Sequence, residues 1–200
     1  MTPTRSQACL ALKGVACGAG HRTLFEGLNL ELASGQWAAL RGHNGSGKST
    51  LLRCVAGLSK TLFGQIQTQG SLLYQSHLTG WKDSFTPYEN LVWSAQLDGG
   101  ASTQSVDQAL HAVGIAEQAE LSFARLSAGQ KRRVSLARLI LSPCPIWLLD
   151  EPSTALDQQG QILFANILEK HLASGGLALI ATHQDIPKLA AHFTIDLGEA

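Results

Sequence analysis

One short stretch, residues 42–49, limits the folds open to this chain more than any other feature. Its sequence, G-H-N-G-S-G-K-S, fits G-x-x-x-x-G-K-[ST] and lies between a predicted strand from Trp37 and a helix predicted over 48–56. Glycines let such a loop turn its N–H groups around phosphates, and the helix adds the positive end of its dipole. We expect Lys48 to reach the β- and γ-phosphates of a nucleoside triphosphate and Ser49 to hold Mg²⁺. The predicted phosphate-binding loop comprises Gly42, His43, Asn44, Gly45, Ser46, Gly47, Lys48, Ser49 and Thr50.

The rest of the chain mixes strand and helix patterns. Residues 9–40 hold short alternating segments, of which 28–32 is the cleanest, and they predict an antiparallel β-layer. Apolar runs at 146–149 and 177–181 predict buried strands on either side of a helix over 159–172, which is typical of a parallel sheet. The expected fold class is therefore α/β, of the P-loop NTPase type, with a mostly parallel core sheet and an N-terminal antiparallel β-layer.

The middle third of the chain is helical in pattern. Thr86 and Glu89 have capping-box spacing around Pro87, so a helix is predicted to begin there and to run to Leu97. A second helix is predicted by apolar residues at helical spacing, namely Val106, Ala109, Leu110 and Val113. We expect a single domain over residues 1–200, with a helical subdomain at about 80–142 inserted into the core.

Composition narrows the class of protein. The 200 residues are 44% apolar, enough for one compact domain with its own core. A formal net charge of zero with only 15% charged residues lacks the basic surface of a nucleic-acid binder, so we expect no nucleic-acid partner. Apolar runs are far shorter than the roughly 20 residues of a bilayer-spanning helix, and residues 1–8 show no signal-peptide pattern. We expect a cytosolic chain whose four cysteines, with no Cys-x-x-Cys pair, are reduced thiols.

A pair of carboxylates follows the apolar run at 146–149. Asp150 stands where a predicted strand ends, and a phosphate-binding loop needs a second Mg²⁺ anchor at such a position. Glu151, one residue further on, is placed to orient and polarise an attacking water as a general base. The sequence therefore predicts hydrolysis of the bound triphosphate.

A second anion site is predicted at residues 126–130, L-S-A-G-Q. Ser127 and Gln130 have capping-box spacing, and a helical pattern follows over 131–140. Ser127 and Gly129 would then present a helix N-terminus to solvent. An ordinary capped helix accounts for the local pattern equally well.

Taken together, these motifs resemble the ABC ATPase family, in which L-S-x-G-Q precedes the strand that ends in paired acids. The resemblance covers essentially the whole chain and implies ATP and Mg²⁺ as the ligands. It also implies a homodimer in which the signature of one copy, here Ser127, Gly129 and Gln130, closes over ATP held by the other copy's phosphate-binding loop. By the same resemblance, Asp157 lies in the D-loop that crosses the dimer interface, and His183 bonds the γ-phosphate.

The family's Q-loop glutamine, which senses nucleotide and metal and faces the membrane subunit, has two candidate positions. Gln75 is the nearest glutamine. Counting back from residues 86–91, which resemble the end of that loop, places the position instead at Leu78, beside His77.

The family's adenine-stacking aromatic residue has no direct counterpart. The matching region, residues 17–21, reads C-G-A-G-H. Phe25, His21 or no residue takes that role.

Several further stretches resemble the ATP-binding subunits of bacterial cytochrome c maturation systems. They include residues 23–28, 147–151, 175–176 and 182–184. The resemblance implies a peripheral position on the cytoplasmic face of the bacterial inner membrane, under a permease subunit like CcmB with CcmC and CcmD nearby. It further implies that ATP hydrolysis drives release of the haem-loaded periplasmic chaperone CcmE. No Cys-x-x-Cys-His signature occurs, so we place no haem site in this chain.

Three other functions are consistent with parts of the pattern. The chain could energise a different ABC exporter of a lipid, drug or peptide, which the helical residues 80–120 would decide. It could be a soluble ABC ATPase acting on ribosomes or DNA, although such proteins usually carry paired domains, coiled coils or basic surfaces. It could also bind ATP without turnover, against which Glu151 and His183 argue.

Overall fold

The structure is a computed structural model that describes residues 8–20, 22–76, 80–98 and 102–198. The strands are β1 (Cys9–Ala19), β2 (Arg22–Ala33), β3 (Trp37–Arg41), β4 (Phe63–Gln69), β5 (Leu72–Gln75), β6 (Ile146–Asp150), β7 (Leu177–Ala181) and β8 (Phe193–Asp196). The helices are α1 (Lys48–Val55), α2 (Pro87–Leu97), α3 (Thr103–Ala112), α4 (Ala128–Leu141) and α5 (Gln158–Ala173), with 3₁₀ turns at Ala116–Gln118 and Phe123–Arg125.

Five strands form a parallel sheet in the order β5-β6-β7-β3-β8. Leu72 of β5 pairs with Ile146 of β6, and Asp150 at the end of β6 pairs with Ala181 at the end of β7. β3 then runs parallel to both β7 and β8. The predicted parallel core sheet is confirmed. Because all five strands run the same way, the loops that follow them start at one edge of the sheet.

A second sheet is antiparallel, with β1 between β2 and β4. It confirms the predicted N-terminal β-layer. The sequence does not predict its third strand, β4, whose residues F-G-Q-I-Q-T-Q are nearly all exposed. An exposed, glutamine-rich edge strand lacks the alternation of buried and polar residues that identifies a strand in a sequence.

Side-chain caps begin two of the helices that lie between β5 and β6 in the sequence, α2 and α4. The Thr86 hydroxyl accepts a 3.1 Å hydrogen bond from the Glu89 backbone, and the Thr86 N–H donates to the Glu89 carboxylate at 2.8 Å. This capping box and the helix end at Leu97 are as predicted. Ser127 forms the equivalent box with Gln130 at the start of α4. The helices α2, α3 and α4 pack on one another, whereas their grouping into a subdomain over 80–142 stays a prediction.

The parallel sheet has a hydrophobic core on each face. In β6, Trp147 and Leu149 pack towards the side of α2 to α5, and Ile146 and Leu148 pack towards β1, β2 and α1. All five residues of β6 and of β7 are buried, which explains why these strands read as continuous apolar runs. The two cores fix the sheet rigidly, so the edge where its loops begin is well positioned.

Two thiols lie inside the second of these cores. Cys17 and Cys54 are free and buried, with their sulfur atoms 3.6 Å apart. Burial, reinforced by the neighbouring Cys54 thiol, raises the pKa of Cys17 to about 12. Cys17 is therefore an unreactive thiol at neutral pH.

Within the described ranges, no helix combines the length and apolar character needed to traverse a bilayer.

Candidate nucleotide-binding site

The carboxyl edge of the parallel sheet gathers most of the residues that the sequence singles out. The phosphate-binding loop follows β3, Gln75 ends β5, Asp150 ends β6 and His183 lies just beyond β7. Register places these ends side by side, because Ala181 pairs with both Leu40 and Asp150, and Gln75 pairs with Leu149. Residues more than a hundred positions apart in the chain thus share one site.

The phosphate-binding loop bends through three glycines with positive φ. Gly42, Gly45 and Gly47 have φ values of 135°, 88° and 105°. The Lys48 side chain is buried, and its ammonium donates to the carbonyls of Gly42 at 2.7 Å and His43 at 3.1 Å. An ammonium has three donors, so these two bonds hold Lys48 inside the loop with one donor remaining for a phosphate.

The start of α1 presents the other loop residues. Ser49 is exposed in the first turn of α1, and Thr50 is half-buried beside it. Ser46 is buried, and its N–H donates to the His43 carbonyl at 3.2 Å. His43, Asn44 and Gly45 are exposed at the tip. The loop therefore offers a rim of polar groups over a helix N-terminus, where an anion is favoured.

The two carboxylates sit in different surroundings. Asp150 is buried at the end of β6, where its charge adds to burial in raising the pKa of the Tyr74 phenol. Glu151 takes a left-handed conformation with φ 51°, and its N–H donates to the Ala181 carbonyl at 2.9 Å. Its Oε1 lies 3.2 Å from His183 Nε2, and its Oε2 accepts a 3.4 Å hydrogen bond from the Thr154 hydroxyl. Glu151, the predicted general base, and His183, which is predicted to bond the γ-phosphate, are therefore in contact.

Several buried polar atoms at this edge have no hydrogen-bond partner among the described residues. They are Ser46 Oγ and both amide atoms of Gln75. Glu151 Oε1 is also buried, and it lies beside His183 Nε2 at 3.2 Å. Leaving a buried polar group unpaired costs about 1–3 kcal/mol, so such groups normally have a partner. Their concentration beside the phosphate-binding loop fits a highly polar ligand, and hard oxygen donors such as those of Asp150, Ser49 and Gln75 suit Mg²⁺.

Of the two candidate positions for the Q-loop glutamine, only Gln75 lies within the described residues. Gln75 is 3% exposed at the end of β5, next to the acid-bearing strand. The alternative position, Leu78, and its neighbour His77 lie outside the described residues. The geometry of Gln75 therefore suits a role at the phosphates.

The signature residues lie at the start of α4, beside the loop that follows β6. Ser127 is exposed and caps α4, and Gln130 completes the box through its side-chain oxygen, which accepts from the Ser127 N–H at 2.9 Å. Gly129 packs against the loop after β6, where an added Cβ would lie 3.4 Å from the Ala155 carbonyl oxygen. No hydrogen bond or ion pair in the described part of the chain joins Ser127, Gly129 or Gln130 to residues 42–50.

Asp157 has a local role that the sequence does not reveal. Its carboxylate caps α5 by accepting from the Gly160 N–H at 2.7 Å, and it pairs with Arg133 at 3.1 Å. The Gly160 hydrogen bond, with help from Arg133, lowers the pKa of Asp157. The residue is thus a helix cap whose exposed side still faces solvent.

Neither aromatic candidate for adenine can be placed against a base. Phe25 is only 5% exposed, and its ring packs under Gly47, where an added Cβ would be 3.0 Å from two ring carbons. The Phe25 ring therefore supports the phosphate-binding loop and is not free to stack on adenine. His21 lies outside the described residues.

Sequence reasoning missed one buried residue at the site, Arg132. Its guanidinium donates to the backbone carbonyls of Glu151 and Thr154 from within α4. The sequence shows only a basic residue in a helical run, K-R-R, and nothing local distinguishes the buried arginine from its neighbours.

Comparison with known proteins decides the family. A family model described as ABC transporter matches residues 25–154. The cytochrome c biogenesis ATP-binding export protein CcmA of Rhodopseudomonas palustris (strain BisB5) is 44% identical over 186 residues, covering 88% of this chain and 92% of the relative. The chain belongs to the CcmA family of ABC transporter proteins. CcmA of Pseudomonas syringae pv. tomato (strain ATCC BAA-871 / DC3000) is 40% identical and is covered over 99% of its length, with all of this chain matched.

Solved structures agree with the fold of this CcmA-family chain. A putative ABC transporter ATP-binding protein from Pyrococcus furiosus superposes with a TM-score of 0.83 at 22% identity, covering 94% of this chain and 97% of that one. A putative metal-chelate type ABC transporter in an inward-facing conformation gives a TM-score of 0.74 at 26% identity, covering 88% and 73%. The predicted ABC-type α/β fold is confirmed, and the chain is an ATP-binding ABC ATPase.

Proposed function

We propose that this chain hydrolyses ATP as one half of a head-to-tail homodimer that energises a membrane complex in cytochrome c biogenesis. The observation that carries the proposal is the set of unpaired, buried polar atoms at the carboxyl edge of the sheet, beside a Glu151–His183 contact of 3.2 Å. Ser46 Oγ and the Gln75 amide have no hydrogen-bond partner within the described residues. They suit Mg²⁺-bound triphosphate and a water beside it.

Binding of ATP uses the phosphate-binding loop and the two neighbouring strand ends. Residues 42–50 surround the phosphates, with Lys48 on the β- and γ-phosphates. Ser49, Asp150 and Gln75 would hold Mg²⁺, which would neutralise charge on the phosphate oxygens. Gln75 is assigned the Q-loop role because its amide is buried without a partner at this edge.

Hydrolysis depends on Glu151. Its carboxylate orients a water and accepts a proton as the water oxygen forms a bond to the γ-phosphorus. The bond from that phosphorus to the bridging oxygen breaks, and ADP leaves. His183 contacts Glu151 at 3.2 Å, and we assign it the role of donating to the γ-phosphate and restraining the carboxylate. The contact between base and histidine supports turnover over a purely ATP-binding role.

The proposed dimer is supported by the lack, among the described residues, of any hydrogen bond or ion pair between the signature residues and the chain's own phosphate-binding loop. Ser127, Gly129 and Gln130 cap a helix whose N-terminus faces solvent, away from hydrogen-bonding contact with the chain's own loop residues. A helix N-terminus with exposed N–H groups favours a phosphate. We assign that phosphate to ATP on a second copy, with Asp157 in the segment that crosses the interface.

The membrane partners are inferred from the relatives, which are cytochrome c biogenesis ATP-binding export proteins. We assign a CcmB-like permease, with CcmC and CcmD nearby, and indirect action on the haem chaperone CcmE from the cytoplasmic face of the inner membrane. Three exposed apolar side chains between residues 93 and 121 support a contact with another protein in that part of the chain. They are Trp93, Leu97 and Leu121.

Affinity purification from detergent-solubilised membranes tests this assignment. The tagged wild-type chain should recover cytochrome-maturation subunits, and cells that carry only Glu151→Gln should lose haem-stained c-type cytochromes. Recovery of a different permease would contradict the pathway while leaving the ATPase in place. Equal ATP turnover by wild type and Glu151→Gln would contradict the ATPase mechanism itself.

A further inference from the structure

Arg132 is a buried cation beside the loop that follows β6. It projects from α4, is 6% exposed, and has no carboxylate within ion-pairing distance among the described residues. Burial lowers the pKa of Arg132, and the charges of Glu151 and Asp150 act in the opposite direction. Burying a guanidinium without a carboxylate partner lowers the stability of the folded state, so we examine which groups Arg132 contacts instead.

Its hydrogen bonds go to one short loop. Arg132 Nε donates to the Thr154 carbonyl at 3.1 Å, and Nη2 donates to the Glu151 carbonyl. A guanidinium is a rigid planar fork, so two bonds from it fix the distance and orientation between two peptide planes. Arg132 therefore restrains the backbone on both sides of the turn after β6.

The restrained backbone is strained at these same points. Glu151 and Ala155 are non-glycine residues with φ of 51° and 65°, a conformation that L-residues avoid. Arg132 therefore bonds the carbonyl of one strained residue, Glu151, and the peptide plane just before the other, Ala155. Strained conformations persist only where surrounding contacts over-determine them. Arg132 supplies two of those contacts.

The same helix carries the signature residues. Ser127 begins α4 five residues before Arg132, and Gly129 packs against the Ala155 carbonyl. A shift of the α4 N-terminus would thus move the loop that holds Glu151. Resting on the proposed function, we propose that Arg132 is a positioning residue that presents the Glu151 carboxylate for hydrolysis and links it to the signature helix of the same chain.

A double-mutant cycle on kcat tests whether Arg132 acts through Glu151. Arg132→Gln should lower kcat for ATP by about 10- to 100-fold, part of the contribution of a general base, with KM for Mg-ATP changed by less than about twofold. In the Glu151→Gln background the same substitution should change the residual kcat by less than about twofold, because groups that act as a unit are not additive.

The matched control is Arg138→Gln, on the same helix. Arg138 bonds Asp98 at 3.4 Å and does not touch the loop, so kcat should stay within about twofold of wild type. If Arg132→Gln fails to fold, Arg132→Lys carries the same cycle, because an ammonium can reach one carbonyl but cannot act as the planar fork. Its loss of kcat should be smaller and again confined to the Glu151 background.

Three results would decide against the inference. An equal loss of kcat in both backgrounds would show that Arg132 does not act through Glu151. Loss of the Mg-ATP-trapped dimer in Arg132→Gln/Glu151→Gln, with the single Glu151→Gln dimer intact, would show a role in the interface. Equal turnover of wild type and Glu151→Gln would overturn this inference together with the proposed function.

Discussion

At the scale of single residues, the site contains buried polar groups that have no hydrogen-bond partner among the described residues. Gln75 is the sharpest case, because a buried amide with neither its oxygen nor its nitrogen paired destabilises the protein. A glutamine has little reason to occupy such a position unless its amide serves a ligand. Function and stability should therefore oppose each other at this residue.

Gln75→Met tests that opposition. The unbranched apolar side chain keeps the shape and removes the unpaired amide, so the ligand-free protein should be more stable to urea by about 1–3 kcal/mol. The Mg²⁺ concentration for half-maximal ATP turnover should rise about tenfold, which is about 1.4 kcal/mol. Gln67→Met, on exposed strand β4, is the control and should change stability by less than about 0.5 kcal/mol. A destabilised Gln75→Met with unaltered Mg²⁺ dependence would contradict the assignment.

Gly47→Ala tests the packing beneath the phosphate-binding loop. Gly47 has φ 105°, and an added Cβ would lie 3.0 Å from the Phe25 ring and 3.2 Å from Leu24. Left-handed strain and overpacking together should cost about 2–4 kcal/mol in urea unfolding. Gly45→Ala is the control, since φ is 88° but nothing lies within 4 Å, and its cost should be about 1–2 kcal/mol. Equal costs would show that Phe25 does not support the loop.

At the scale of elements, two capping boxes start two helices but only one faces a proposed ligand. Ser127→Ala and Thr86→Ala remove equivalent caps, so each should lower stability by about 1 kcal/mol. Ser127→Ala should also lower ATP turnover by about tenfold or more, because a hydrogen bond to a charged phosphate is lost. Thr86→Ala should leave turnover of the purified protein within about twofold. Equal ATPase activity in the two variants would reduce Ser127 to an ordinary helix cap.

Elements with strong local signals could be predicted from the sequence. The buried strands β6 and β7, the capped helices α2 and α4, and the loop at 42–49 all carry their pattern within a dozen residues. The edge strands β4 and β8 were missed because each is largely exposed, and β5 has only four residues. Short or exposed strands are fixed by their neighbours in the sheet, which a local pattern does not contain.

Contacts between distant segments could not be predicted. Arg132 reaches Thr154 across 22 positions, and Asp157 pairs with Arg133 across 24. Nothing in the K-R-R run indicates which side chain turns inward. The burial of Phe25 under Gly47 could not be predicted for the same reason, because it depends on how β2 packs against the phosphate-binding loop. Motifs identified the chemistry, and tertiary packing decided which neighbours support it.

At the scale of the whole molecule, the proposed function divides each ATP site between two chains. The phosphate-binding loop, Asp150, Glu151 and His183 lie at the sheet edge, and Ser127 caps a helix that makes no hydrogen bond to residues 42–50 within the described chain. Two copies related by a two-fold axis could complete two equal sites, each with the loop of one and the signature of the other. In the proposed dimer, closure depends on ATP, and hydrolysis is converted into movement of a membrane partner.

Light scattering coupled to size-exclusion chromatography of Glu151→Gln tests this account most directly. With saturating Mg-ATP, the variant should elute with twice the chain mass of 21.3 kDa, because ATP binds and is not hydrolysed. Without nucleotide, or with Ser127→Glu added to repel the partner's phosphates, it should elute at the mass of one chain. A Glu151→Gln protein that binds Mg-ATP yet stays monomeric, both free and in its membrane complex, would contradict the head-to-tail site.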